Sequence, residues 1–237
     1  MNALPTPGPQ EQGPSDSLVY IVDDDPSLND ALRELLQSVG IASRGFLCAR
    51  DFLRQEPVDA PSCLVLDVRL RGTSGLELQA QLARWRPDLP VVVMTAHGDV
   101  EMTVRAMKAG ARGFLAKPVR EQDFLDAVGE ALEADRRQRE RRRLAAALHA
   151  RFATLSVRER EVMLFAVQGL MNKQIADRLG LSIVTVKIHR SNAMRKMAAR
   201  TFADLVRMAH ELEGGGHAGG IRAPLRSAPA PLAATAY

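Results

Sequence analysis

Leu18-Val19-Tyr20-Ile21-Val22-Asp23-Asp24-Asp25-Pro26 decides how the first half of this chain is read. An unbroken run of five apolar residues, bounded by polar ones, suits a short strand covered on both faces of a parallel sheet. Three carboxylates follow at once, and Asp25 before Pro26 reads as the N-cap of a helix. Two other stretches end in the same way: Cys63-Leu64-Val65-Leu66 on Asp67, and Gly113-Phe114-Leu115-Ala116 on Lys117-Pro118. In an open parallel sheet all strand carboxyl ends share one edge, where ligands bind. Carboxylates gathered there repel one another unless a cation lies among them. The arrangement points to phosphoryl chemistry on an Asp, assisted by Mg2+.

Outward from these strand ends, strands and amphipathic helices alternate five times. Leu28, Leu32, Leu35, Leu36 and Val39 form a helical stripe stopped at Gly40. A strand is predicted over 41–46 and a short helix around 51–54. Leu76, Leu78, Leu82 and Trp85 mark a third helix ending before Pro87; Val91-Val92-Val93-Met94 is a fourth strand, followed by a helix over 100–109. A fifth helix starts near Glu121 and runs on through the basic stretch 135–143, read as a solvated linker helix. Five βα units in about 115 residues predict a doubly wound, flavodoxin-like (βα)5 domain.

The chain has 237 residues, enough for two domains, with ordinary apolar (46%) and charged (25%) content. No apolar run approaches the length of a membrane helix, and the N-terminus carries no basic and apolar leader pattern. Cys48 and Cys63 lack metal-type spacing and read as free thiols, so a cytoplasmic protein is expected. Charge is split. From Ser17 to Asp126 there are 13 Lys+Arg against 16 Asp+Glu, a net of −3; from Ala127 to Tyr237 there are 19 against 10, a net of +9. A basic second half suggests a polyanionic partner, and charge alone leaves DNA, RNA and an anionic membrane open.

Helix signals decide among these. Ser156 with Glu159 three residues on is a capping box. A short helix over 172–179 buries Ile175, Ala176 and Leu179, Gly180-Leu181 turns the chain, and Ser182 caps a longer helix through Met197. This is a helix-turn-helix. On its second helix Val186, Ala193 and Met197 share the inner face, while Val184, Ile188, Ser191 and Arg195 point away and Lys187 lies at the border. Apolar residues exposed beside cations favour a DNA-reading helix over a simple packing module.

The acidic edge has its own logic. A carboxylate attacking a phosphoryl group needs Mg2+ against the anionic oxygens, a Lys to compensate charge, and a small hydroxyl to sense the product. Lys117 and Thr95 sit at the neighbouring strand ends. Singly each residue has an ordinary role, as cap, turn or surface cation. Their joint placement at the same ends of successive strands favours the functional role.

Residues 17–126 resemble a response-regulator receiver domain, and the whole chain resembles the NarL/FixJ family, on its FixJ-like branch. The motifs are Val-Asp-Asp-Asp-Pro at 22–26, Leu-Asp-Val-Arg-Leu at 66–70, Gly-Thr-Ser-Gly-Leu at 72–76, Met-Thr-Ala at 94–96 and Gly-Phe-Leu-Ala-Lys-Pro at 113–118. The resemblance implies Asp67 as phosphoacceptor. It implies Mg2+ held by Asp24 directly, by Asp23 through water, by Asp67, and by the backbone carbonyl of Arg69. Thr95 and Phe114 would be the switch pair, with Lys117 sensing phosphate. Arg71 stands where the family usually has Pro, which implies a looser loop and altered phosphorylation or dephosphorylation rates.

Residues 149–212 resemble a LuxR-type DNA-binding domain, through Leu-Ser-Val-Arg-Glu-Arg-Glu-Val at 155–162, Asn-Lys-Gln-Ile-Ala at 172–176 and Thr-Val-Lys-Ile-His-Arg at 185–190. Across the motif from Asn172 to Ser191, the likeness gives base contacts to Lys187, Ile188 and Ser191, and phosphate contacts to Thr185 and Lys173. Arg190 falls on the inner side of the helical wheel and receives a phosphate or snorkelling role.

The expected organisation is a Pro-rich disordered segment 1–16, a receiver over 17–133, a basic helical linker over 134–148, a four-helix LuxR-type domain over 149–213, and a disordered Gly/Pro/Ala-rich tail over 214–237. The expected partners are a sensor histidine kinase, a double-stranded DNA operator, RNA polymerase and a second copy on phosphorylation, with no membrane. No enzyme activity is expected beyond the receiver's own phosphorylation and dephosphorylation. An aspartyl-phosphate hydrolase would need a further acid/base residue and a water-excluding cap. A phosphorylation-independent regulator would typically lack part of the acidic site, and this sequence keeps every part.

Overall fold

The computed structural model describes residues 17–70, 75–95 and 100–214. The segment 1–16, Arg71 and the tail beyond Gly214 lie outside the described residues. The chain divides between Glu140 and Arg141 into two compact units.

The first unit is a five-stranded parallel sheet of β1 (Leu18–Val22), β2 (Ala42–Phe46), β3 (Ser62–Asp67), β4 (Val91–Thr95) and β5 (Gly113–Ala116), in the order β2-β1-β3-β4-β5. Helices α1 (Pro26–Ser38), α2 (Ala49–Leu53), α3 (Gly75–Trp85), α4 (Val100–Lys108) and α5 (Glu121–Ala153) join and follow the strands, and the unit boundary falls within α5. This is the flavodoxin-like (βα)5 fold.

Alternation along the strands explains the two core layers. Tyr20, Val22, Leu64, Leu66 and Val93 face Phe52 of α2, Leu78 and Leu82 of α3 and Ala106 of α4. Val19, Ile21, Cys63, Val65, Val92 and Met94 face Leu32 and Leu36 of α1 and Phe124, Val128, Ala131 and Leu132 of α5. Both faces of the central strands are covered, which is why they read as unbroken apolar runs. β2 is an edge strand and correspondingly exposed. Trp85, taken from the sequence as part of the α3 stripe, is 58% exposed instead, because it is the helix's last residue and lies beyond the layer that Leu78 and Leu82 fill.

The basic stretch of α5 is less free than its composition suggests. Asp135 is buried and accepts from the Ser62 amide at 2.8 Å and from Arg139 Nε at 2.7 Å. Arg139 also donates to Asp59 and to the Val58 carbonyl, and Gln138 to Asp88. One face of this turn is thereby fastened to the amino-terminal edge of the sheet.

The second unit holds α6 (Val157–Val167), α7 (Asn172–Leu179), α8 (Ile183–Met197) and α9 (Phe202–Gly214). Two small apolar clusters hold it together, one around Leu155, Met163, Ala193, Met197 and Leu205, the other around Val162, Ala166, Ile175 and Val186. Among the described residues, no helix is long and apolar enough to cross a membrane.

Candidate functional site

The sheet order reverses between β1 and β3, so a crevice opens at their carboxyl ends. Asp23 follows β1, Asp67 closes β3, and ligand atoms of Asp23, Asp24 and Asp67 lie within 4.8 Å of one another. The β1–α1 connection is shaped by its own carboxylates. Asp25 Oδ1 accepts from the amides of Ser27 and Leu28 and caps α1, while Asp23 Oδ1 accepts from the Asp25 amide at 3.0 Å. After Asp67, the Arg69 amide donates to Asp67 Oδ1 at 3.0 Å. Gly75, the first residue of α3, lies so close to the end of β3 that a Cβ on it would stand 2.2 Å from the Asp67 carbonyl oxygen, which accounts for glycine at that position.

Lys117 follows β5 and reaches across the crevice. Its Nζ donates to Asp23 Oδ2 at 2.6 Å and to Asp67 Oδ2 at 2.7 Å. Asp23 is 0% exposed, and burial pushes its carboxyl above the ordinary range against the opposing pull of Lys117 and the Asp25 amide. Burial would by itself lower the Lys117 ammonium. The hydrogen bonds and negative charges of Asp23 and Asp67 outweigh it and hold Lys117 above its ordinary value, so it stays charged. Three carboxylates against one ammonium leave a surplus of negative charge in a small space, a donor set that suits a hard divalent cation such as Mg2+. Asp24 is half-buried, and both oxygens of Asp23 are engaged within the protein.

Thr95 is buried at the end of β4, and its carbonyl accepts from the Lys117 amide at 2.7 Å. Phe114 is half-buried on β5 and packs against the core layer of α2, α3 and α4. The crevice thus brings together Asp23, Asp24, Asp67 and Lys117, with Thr95 and the Arg69 backbone beside them.

In the second unit, Ser156 and Glu159 form the expected capping box. Gly180 ends α7 at a left-handed φ of 65°, and Ser182 caps α8 by accepting from the Thr185 amide. Val186, Ala193 and Met197 are buried, whereas Val184 is 66% and Ile188 54% exposed. Lys187, Ser191 and Lys173 are exposed, and Thr185 is half-buried. Arg190 is held inside the fold: its guanidinium lies 4.4 Å from the Phe202 ring centroid and donates to Asn172 Oδ1 at 3.2 Å. It brackets α7, α8 and α9 together.

Residues 19–129 match the response regulator receiver domain, and residues 153–209 match the bacterial regulatory proteins of the luxR family. Nodulation protein W of Bradyrhizobium diazoefficiens is 49% identical over 205 residues, which span 86% of this chain and 90% of that protein. The chain belongs to the NarL/FixJ response regulators. The transcriptional regulatory protein FixJ of Azorhizobium caulinodans is 42% identical over 81% of this chain and 90% of its own length. Among solved structures, the response regulator StyR superposes with a TM-score of 0.76 at 46% identity, covering 82% of this chain and 98% of that one. Full-length FixJ from B. japonicum gives 0.53 at 36% identity, covering 84% and 98%.

In this response regulator two residues beside the strand ends carry no signal in the sequence. Asn29 is a buried polar side chain on α1, and Gly45 sits opposite it on β2. An Asn in an amphipathic helix and a Gly near a strand end carry no pattern that marks them.

Proposed function

We propose that this response regulator is a phosphorylation-controlled, DNA-binding transcription regulator, in which Asp67 accepts a phosphoryl group from a sensor histidine kinase. The observation that carries the reading is the Lys117 ammonium bonded to both Asp23 and Asp67 inside the cluster of three carboxylates. Asp24, Asp67 and the Arg69 carbonyl would hold Mg2+, with Asp23 acting through water. When bound, the ion supplies positive charge against the phosphoryl oxygens. Asp67 presents its carboxylate as the nucleophile, the Arg69 amide orients Oδ1, and Lys117 stands ready to compensate charge on the transferred group. Thr95 senses the new oxygens and Phe114 turns inward, biasing the receiver towards a dimer. The domain limits proposed with this function are a receiver over 17–133, a linker over 134–148 and a DNA-binding domain over 149–213, acting in the cytoplasm with RNA polymerase as the downstream partner.

The test is incubation with a small acyl phosphate and Mg2+, followed by intact-mass measurement and peptide mapping. The wild type gains one phosphoryl group on Asp67 and Asp67→Asn gains none. Uptake that survives in Asp67→Asn, or that ignores chelation of Mg2+, would sink the assignment.

On DNA, Lys187, Ile188 and Ser191 are proposed to meet bases in the major groove, and Thr185 and Lys173 to meet phosphates. Arg190, engaged with Phe202 and Asn172, supports α8 from within and reaches phosphate only at the rim. A two-fold dimer implies an operator of paired half-sites. Lys187→Ala should weaken operator binding by about 1–3 kcal/mol and lower its preference over unrelated DNA. Equal losses on both DNAs, titrated by fluorescence anisotropy at two salt concentrations, would reassign Lys187 to the backbone.

A further inference from the structure

The acidic pair depends on a three-residue connection, 23–25, whose main chain must be held for its carboxylates to stay near Asp67. Asn29, one turn into α1 and only 3% exposed, reaches back to it. Its Nδ2 donates to the Phe46 carbonyl at 3.2 Å and points at the Asp23 carbonyl at 3.5 Å. The same Phe46 oxygen also accepts from the Asp23 amide at 3.1 Å. The amide is therefore oriented by its surroundings: Nδ2 faces two carbonyl oxygens, which Oδ1 would repel.

Gly45 is the other half of the arrangement. It lies on the edge strand, where a glycine weakens pairing, and it has no positive φ to explain it. A Cβ there would stand 2.0 Å from Asn29 Oδ1 and 2.9 Å from Asn29 Cγ. Any side chain at 45 would expel the Asn29 amide.

We propose that Asn29, admitted by Gly45, is a positioning residue for the acidic site. It pins the Asp23 main chain to the end of β2, so that the Asp23 and Asp24 carboxylates are arranged for a cation before one arrives. This rests on the proposed Mg2+ site of Asp24, Asp67 and the Arg69 carbonyl, and it assigns Asn29 no contact with the ion. The rival is a purely structural tie between α1 and the edge strand, which would change stability and leave metal affinity alone.

The two are separated by measuring Mg2+ affinity by isothermal titration calorimetry and stability by urea unfolding in chelator, both on the full chain. Asn29→Leu keeps the volume and removes the donor, and should weaken Mg2+ binding about tenfold. Gly45→Ala should weaken it similarly by displacing the amide, and should also lower the urea midpoint through the clash. The double variant Asn29→Ala/Gly45→Ala relieves that clash, so its midpoint should recover above that of Gly45→Ala while Mg2+ affinity stays low. Wild-type Mg2+ affinity in both Asn29→Leu and the double variant would overturn the proposal. Should Asn29→Leu show no cooperative transition, the double variant alone decides. A wild type that binds no Mg2+ would overturn the site reading itself, and the positioning role with it.

Discussion

Lys117→Met is expected to destabilise the first unit by about 3 kcal/mol at neutral pH in the absence of divalent metal, measured by urea unfolding. The loss exceeds what an ion pair is worth, because removing one partner leaves the others buried and unpaired. Asp23 has no exposed surface through which water could replace the ammonium, and Asp67 has little. The pH dependence follows from the two shifts. Lys117 is raised in the fold, so the stability it contributes is present in full below the ordinary lysine value and is lost only as pH climbs through its folded value. Asp23 is also raised, so the folded state takes up a proton more readily than the unfolded one, and stability declines as pH rises from 3.8 through the folded value. Removing Lys117 takes away the hydrogen bond and charge that pull Asp23 down, and the decline should extend to higher pH. The variant should therefore lie closer to wild type at about pH 5 than at about pH 7.5. Adding Mg2+ should narrow the remaining gap by binding the folded carboxylates. A deficit that is constant across pH and untouched by Mg2+ would mean that Lys117 contributes through its alkyl packing.

Much of this site was legible because a parallel sheet converts sequence order into position. A buried strand has few alternatives as an apolar run, and its last residue must emerge at the carboxyl edge; Asp67 and Lys117 were placed by that rule alone. The helix-turn-helix was legible for a related reason, since Ser156, Gly180 and Ser182 occupy cap positions whose chemistry is local. What sequence could not give was contact between elements distant along the chain. Asn29 meets Phe46, and Asp135 meets Ser62, only once α1 and α5 have docked. Composition made 135–143 a solvated run, yet one face of its first turn is bonded to the sheet edge. Arg190 shows the same limit in the second unit: the wheel put it on the inner side, and the Phe202 ring it lies against belongs to another helix.

Glu159→Gln should cost the second unit about 2 kcal/mol at neutral pH, and Glu159→Ala about a further 1 kcal/mol. Glu159 closes the α6 cap by accepting from the Ser156 amide at 2.8 Å, and the same Oε2 accepts from Lys196 Nζ of α8 at 2.6 Å. Lys196 donates in addition to the Thr154 carbonyl, so one carboxylate joins the start of α6 to the end of the helix that carries Lys187 and Ile188. Glutamine keeps an oxygen for Ser156 but gives Lys196 a neutral partner; alanine removes both. The Lys196 hydrogen bond first, and the Ser156 amide second, hold the Glu159 carboxyl below its ordinary value against a smaller opposing effect of burial. A depressed carboxyl contributes stability that is present above its unfolded value of 4.5 and is lost as pH falls through the lower folded value. Wild type should therefore lose stability across that acid window more steeply than Glu159→Gln, and the two unfolding curves should converge there after standing apart at neutral pH. Convergence assigns the effect to the charge that couples α6 to α8. Curves that stay parallel into acid would assign it to the shape of the cap, and Lys196 would then have no part in coupling the two helices.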